Sequence, residues 1–211
     1  MVRKPLFTDN VENAVLPVMN AQSEPATNSF AVIWRRALDN KSFEICRFIC
    51  SRTGLQLNGT IIAAHENQPI EVYYQIFCDS DWRTREVKVD QRYGLIESNL
   101  ELSVSDGTWN RDDRGRLPEL AGCIDVDIEL TPATNALPIN RLNLAVGESA
   151  EIQAAWIRLP AFVIIPARQR YDRLSESTYR YTSLASGFHA EIETDKYGFP
   201  VRYGNIWERI G

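Results

Sequence analysis

Histidine is scarce in this sequence. His65 and His189 are the two present among 211 residues, and neither has a metal-ligand neighbour at a standard spacing. A zinc site calls for CxxC pairs, HExxH or a mixed His/Cys cluster, and the chain has none of these. Nucleophilic catalysis through a Ser–His–Asp or Cys–His arrangement would have to use one of the two. His65 lies in AAHENQP, which reads as an exposed hairpin end; His189 follows Phe188 in a strand, where a partly buried ring is the ordinary outcome. The GxSxG elbow, the GxxxxGK[ST] phosphate loop and GxGxxG are missing too, so no cofactor is implied. Positive charge is also short: 23 Lys and Arg stand against 28 Asp and Glu, giving a net charge of −5 without a basic stripe. That excludes an ordinary nucleic-acid surface. No stretch approaches 18 apolar residues, which excludes a membrane-spanning helix. The opening MVRKPLFTDNVENAVLPVMNAQ lacks the apolar core of a signal peptide, so a cytoplasmic location is expected. The four cysteines (46, 50, 78 and 123) fit a reducing compartment. If Cys46 and Cys50 share a strand, about four rises of roughly 3.3 Å separate them, too far for a bridge.

What remains is a chain of short β-type runs. Residues 1–29 are polar and aperiodic and read as a loose N-terminal arm; 30–211 read as a single β domain. Stretches rich in Val, Ile, Tyr, Phe, Thr and Trp alternate with polar residues over 30–36, 42–52, 55–64, 69–78, 82–90, 95–104, 107–110 and 123–130. After a loop at 131–141, with room for one helical turn, they resume at 150–159, 162–165, 167–174, 177–184, 188–194 and 199–210. Asp106-Gly107 and Asp195–Gly198 read as tight turns; Asn58-Gly59 is either a turn or the middle of one strand. Short links favour antiparallel neighbours. So many strands should curl into a barrel, roll or sandwich.

Two features carry chemistry. In CIDVDIEL, strict alternation sets Cys123, Asp125, Asp127 and Glu129 on one side and Ile124, Val126, Ile128 and Leu130 on the other. Asp125 and Asp127 are separated by about 6–7 Å of backbone, within reach of acid/base work. The same pattern describes the wet face of a half-exposed strand, or the polar floor of a cleft. If the acids are buried they need donors, and Thr134, Asn135 and Arg141 lie close in sequence. The second feature is aromatic: Trp34, Trp82, Trp109, Trp156 and Trp207, several beside arginine, continued by RQRYDRL and STYRYTSL. Such rings suit sugar faces and amphipathic head groups, and arginine suits phosphate or carboxylate. Singly, each ring is as well explained as core or rim packing.

The stretches DSDWRTREVKV (79–89), GCIDVDIELTPATNALPINRLNLAVGESAEIQAAWIRLP (122–160), RQRYDRL (168–174) and TYRYTS (178–183) together resemble a bacterial family called "putative glycolipid-binding", from about Trp34 to Trp207. The resemblance implies a spiral β-roll, a strongly curled antiparallel sheet with little helix, related in shape to lipoprotein carriers. It matches Asp79, Trp82 and Arg83, then Asp125, Asp127, Thr134, Asn135, Pro138 and Arg141, then Glu151, Trp156, Arg170, Tyr171, Tyr179 and Tyr181. The arm at 1–29 is longer than the family pattern leads one to expect, and 90–100 fits loosely. The expected function is non-enzymatic binding of an amphipathic small molecule, a lipid or glycolipid. Trp82, Trp156 and Tyr171 would meet the head group, Arg83, Arg141 and Arg170 the polar ends, and Asp125, Asp127 and Asn135 a polar patch. The alternatives are a sugar-directed hydrolase or isomerase using Asp125 and Asp127, and a protein-interaction scaffold.

Overall fold

The computed structural model describes residues 28–211. The arm expected over 1–29 lies outside the described residues, except that Asn28 and Ser29 open the first strand. A meander runs through β1 (Asn28–Arg36), β2 (Ser42–Cys50), β3 (Leu55–His65), β4 (Gln68–Cys78), β5 (Thr84–Tyr93) and β6 (Ile96–Ser105). Short β7 (Thr108–Arg111) and β8 (Gly115–Arg116) end it. The next segment holds a 3-10 turn at Pro118–Leu120, β9 (Asp125–Ile128), a second such turn at Ala133–Asn135 and helix α1 (Ala136–Leu142). A second run follows: β10 (Ser149–Arg158), β11 (Val163–Arg173), β12 (Thr178–Ser183), β13 (His189–Thr194), β14 (Pro200–Tyr203) and β15 (Trp207–Arg209).

All fifteen strands join one open sheet, ordered β8-β7-β6-β5-β4-β3-β2-β1-β15-β14-β13-β12-β11-β10-β9. The two runs meet where β1 pairs with β15, Trp34 opposite Arg209. Each neighbour is antiparallel except β9, which lies parallel to β10 and is a departure from the expected pattern. The long strands alternate buried and exposed residues, as in β3 and β4, which lays Leu57, Ile61, Val72, Tyr74 and Ile76 on one inner face. Burying a Leu- or Ile-sized side chain contributes about 1.5–3 kcal/mol. This face supplies most of the core.

The sheet bends far enough for its ends to touch. Thr84 of β5 donates its amide to the Ile124 carbonyl and accepts the Val126 amide on Oγ1 at 3.1 Å. Trp109 of β7 donates its indole N–H to the Cys123 carbonyl, and the Gln91 amide of β5 donates to the carbonyl of Pro160. The open edge of β9 is thereby covered by β5, which blunts it as a site for adventitious pairing.

Several expectations change in detail. Asn58-Gly59 sits within one strand: the Tyr74 ring lies over Gly59, where a Cβ would stand 2.0 Å from the ring carbon. The runs expected at 162–165 and 167–174 form one strand through Pro166, since β12 stops opposite Gln169 and leaves β11 with no neighbour there on that side. The run 199–210 folds back on itself as β14 and β15, turning at Gly204, whose φ is +51°. His189 is exposed instead of partly buried. β9 covers only four of the eight alternating residues, and its acidic side is not wet.

Candidate functional site: two carboxyls and an aromatic cleft

Residues 131–139 are buried without a break, so the loop and α1 fill the space beneath the bent sheet. Apolar Ala133, Ala136, Leu137 and Ile139 drive this insertion, and the loop satisfies its own polar groups. Thr131 Oγ1 accepts the Ala133 amide, the Asn135 side-chain amide donates to the Pro132 carbonyl, and Asn140 donates to the carbonyls of Ala136 and Tyr197. Asn143, with φ +43°, ends the helix in the left-handed conformation. Thr134, Asn135 and Arg141 are thus carried inward, against β9 and β11.

The acids of β9 meet two of them. Asp125, 1% exposed, receives a two-pronged contact from Arg141, Nε to Oδ1 at 2.8 Å and Nη2 to Oδ2 at 2.5 Å. Burial raises the Asp125 pKa, and the arginine's hydrogen bonds and charge pull it back. Asp127 accepts from neutral groups: the Thr134 hydroxyl on Oδ1 at 3.1 Å and the Gln169 amide on Oδ2 at 2.7 Å. Its pKa is also raised by burial, opposed by those two bonds and reinforced by Glu129 and Asp125. Among the described residues it has no ion pair. Behind Gln169, Tyr171 is 1% exposed and donates its hydroxyl to Asn135 Oδ1 at 2.9 Å.

In front of Asp127 opens a cleft of about 260 Å³. Asp127 and Gln169 stand at its floor; Trp156, Ile165, Ala167, Tyr181 and Phe188 form its walls, and Ser183 and Ser186 stand on its polar side. The register explains the gathering. Asp127 lies opposite Trp156, Trp156 opposite Ile165, and Gln169 opposite Ser183, so four strands present one face. Ile165 and Phe188 are 38% and 43% exposed, so the rim offers apolar surface to a visitor. A roomier groove of about 480 Å³ crosses the other face of β3–β6, lined by Thr60, Glu71, Tyr73, Asp90, Arg92, Glu97 and Asn99. Its arginine is already paired with Glu97 and Glu71, as on a solvated face.

The other residues singled out from sequence stand elsewhere. Trp82 stacks on Phe48 at 5.7 Å with planes 8° apart, and its φ is +64°. Asp79 holds this turn by accepting the amides of Asp81 and Arg83 and binding the Arg85 guanidinium, which explains the DSDWR run structurally. Arg83 is exposed. Arg170, on the opposite side of β11 from Gln169, pairs with Asp172 at 2.8 Å. Thus Asp127 and Trp156 line the cleft, Asp125, Asn135, Arg141 and Tyr171 support it from behind, and Trp82, Arg83 and Arg170 lie outside it.

Sequence reasoning passed over Glu44, Gln169, Tyr181 as a cleft residue, and Phe188. Glu44 is 1% exposed. It accepts from the Tyr74 hydroxyl and from Thr131 Oγ1, while its Oε2 has no hydrogen-bond partner among the described residues. Desolvation lifts its pKa to about 7. Its signal was faint because SFEICRFIC carries apolar residues in both phases.

The fold is that of a mainly β protein built on one open, bent sheet, with an inner segment and an aromatic cleft. The chain belongs to the family described as "Putative glycolipid-binding", whose model matches residues 31–209. A crystal structure of a DUF1089 family protein from Pseudomonas aeruginosa is similar, with 29% identity and a TM-score of 0.72; the match covers 92% of this chain and 99% of that one. No curated protein matches.

Proposed function

We propose that this chain binds a sugar-bearing amphipathic molecule in the cleft beside Asp127 and does not transform it. The observation that carries this reading is the combination at the cleft: a carboxyl and an amide at the floor, both with acceptor capacity left, and aromatic walls of Trp156, Tyr181 and Phe188. Aromatic faces take sugar C–H surfaces while floor groups read hydroxyls. The volume suits one ring, and the apolar rim continues along Ile165 and Val163 on the same side of β11, a path for an alkyl chain. Family membership supports a binding role. The sugar-directed enzyme reading needs two carboxyls free to reach one substrate. Asp125 is locked to Arg141 and does not line the cleft, so Asp127 has no partner acid there.

The test is native mass spectrometry of the purified chain, with organic extraction of anything retained, on the wild type and on Trp156→Ala. A stoichiometric glycolipid on the wild type that is lost from the variant supports the proposal. A glycolipid retained equally by both proteins would place its site elsewhere.

A further inference from the structure

Resting on the cleft reading above, we infer that the head group this cleft selects carries an ammonium, as an amino sugar does. Asp127 is a carboxyl with no ion pair among the described residues, held by two neutral donors. Two residues away on the same face, Asp125 is supplied with Arg141. The groups with the largest electrostatic effect on Asp127, or most affected by it, are acids: Asp125 and Glu129 on its own strand, and Tyr171, Tyr181 and Tyr203 on neighbouring strands. Arg168 also lines the cleft, but its guanidinium is already held by Glu151 at 2.8 Å. The two donors that reach Asp127 are neutral and take one oxygen each, which leaves lone pairs on a carboxylate that can accept about four hydrogen bonds.

The walls point the same way. Trp156, Tyr181 and Phe188 surround the space before Asp127, and aromatic faces with a carboxylate behind them are a recurring receptor for ammonium groups. Trp156 already holds one cation, the Arg158 guanidinium 5.0 Å from its ring centroid. A neutral hydroxyl could donate to Asp127 as Thr134 does, yet would leave its charge uncompensated. A phosphate or carboxylate head would set a second negative charge against Asp127. An ammonium supplies the missing charge and up to three donors.

Isothermal titration of the full chain tests this with three probes below their micelle concentrations: octyl β-glucoside, octyl 2-amino-2-deoxy-β-glucoside and its N-acetyl derivative. The amine should bind at least about tenfold more tightly than the other two. Asp127→Asn should abolish that advantage, so that the variant binds the amine no more tightly than it binds octyl glucoside. If the variant does not fold, the N-acetyl probe removes the same charge from the ligand side and decides alone. Equal binding of amine and neutral glycoside by the wild type overturns the ammonium assignment and leaves the cleft reading standing. Binding of none of the three overturns both.

Discussion

Asp125 and Asp127 share a strand face, a raised pKa and a place beneath the same buried loop, yet the protein treats them differently. Asp125 is enclosed with a guanidinium on both oxygens, while Asp127 receives two neutral donors and looks into a cleft. A buried carboxylate paired with arginine is a fixed joint, because removing either partner strands a charge in a poor solvent. One held by a hydroxyl and an amide keeps its geometry and leaves its charge for something else to meet. On the proposed reading, structure and recognition are divided between adjacent inward positions of one strand.

The largest effect is expected at Arg141. Arg141→Leu leaves Asp125 buried without its cation and should cost about 3–5 kcal/mol in denaturant unfolding, most of it recovered when Asp125→Leu is added. A loss equal in the single and double variants would mean that packing, not charge, sets the cost.

Glu44 supplies a third case, with neither a cation nor a cleft. Its folded pKa of about 7 lies above the ordinary 4.5, so between those values the native state holds more protons than the unfolded chain. The contribution to stability is therefore full below about pH 4.5 and is lost as pH rises to about 7, in total about 3 kcal/mol. Subtracting the stability-versus-pH curve of Glu44→Gln from that of the wild type should show this slope; a flat difference would contradict it.

The two aspartates themselves should separate by a smaller margin. Asp125→Asn deprives Arg141, whose side chain is 12% exposed, of its counter-charge and should cost about 2 kcal/mol. Asp127→Asn turns one acceptor oxygen into an amide donor, which the Thr134 hydroxyl can accept by rotating, and should change stability by less than about 1 kcal/mol. Thermal unfolding of the two variants side by side measures the gap, and equal losses would erase the distinction.

Much of the sheet was legible because alternation with period two is a direct consequence of strand geometry, and Val, Ile, Tyr and Phe mark the long strands. The breaks were less so. Gly59 looks like half of a turn until Tyr74, fifteen residues on, is seen to need its missing Cβ. Pro166 looks like a boundary until β12 is seen to stop short of it. The polar side of CIDVDIEL reads as wet because sequence does not show that residues 131–139 pack over it. Even so, two of the donors, Thr134 and Arg141, could be named from proximity in the chain. Gln169, 42 residues from Asp127, could not, and neither could the convergence of Trp156, Tyr181 and Phe188, which depends on the register of four strands. Trp82 and Arg83 stood out by residue type, yet their run is accounted for by a turn built on Asp79.

The central proposal is that the ligand binds in the cleft beside Asp127. Titration of isotopically labelled protein with octyl β-glucoside, followed by amide and indole NMR shifts, reads that location directly. The prediction is shifts concentrated at the Trp156 indole and at Asp127, Gln169, Tyr181 and Phe188, with the groove of Thr60, Tyr73, Asp90 and Asn99 unmoved. Shifts confined to that outer groove, or none at saturating glycoside, would contradict it.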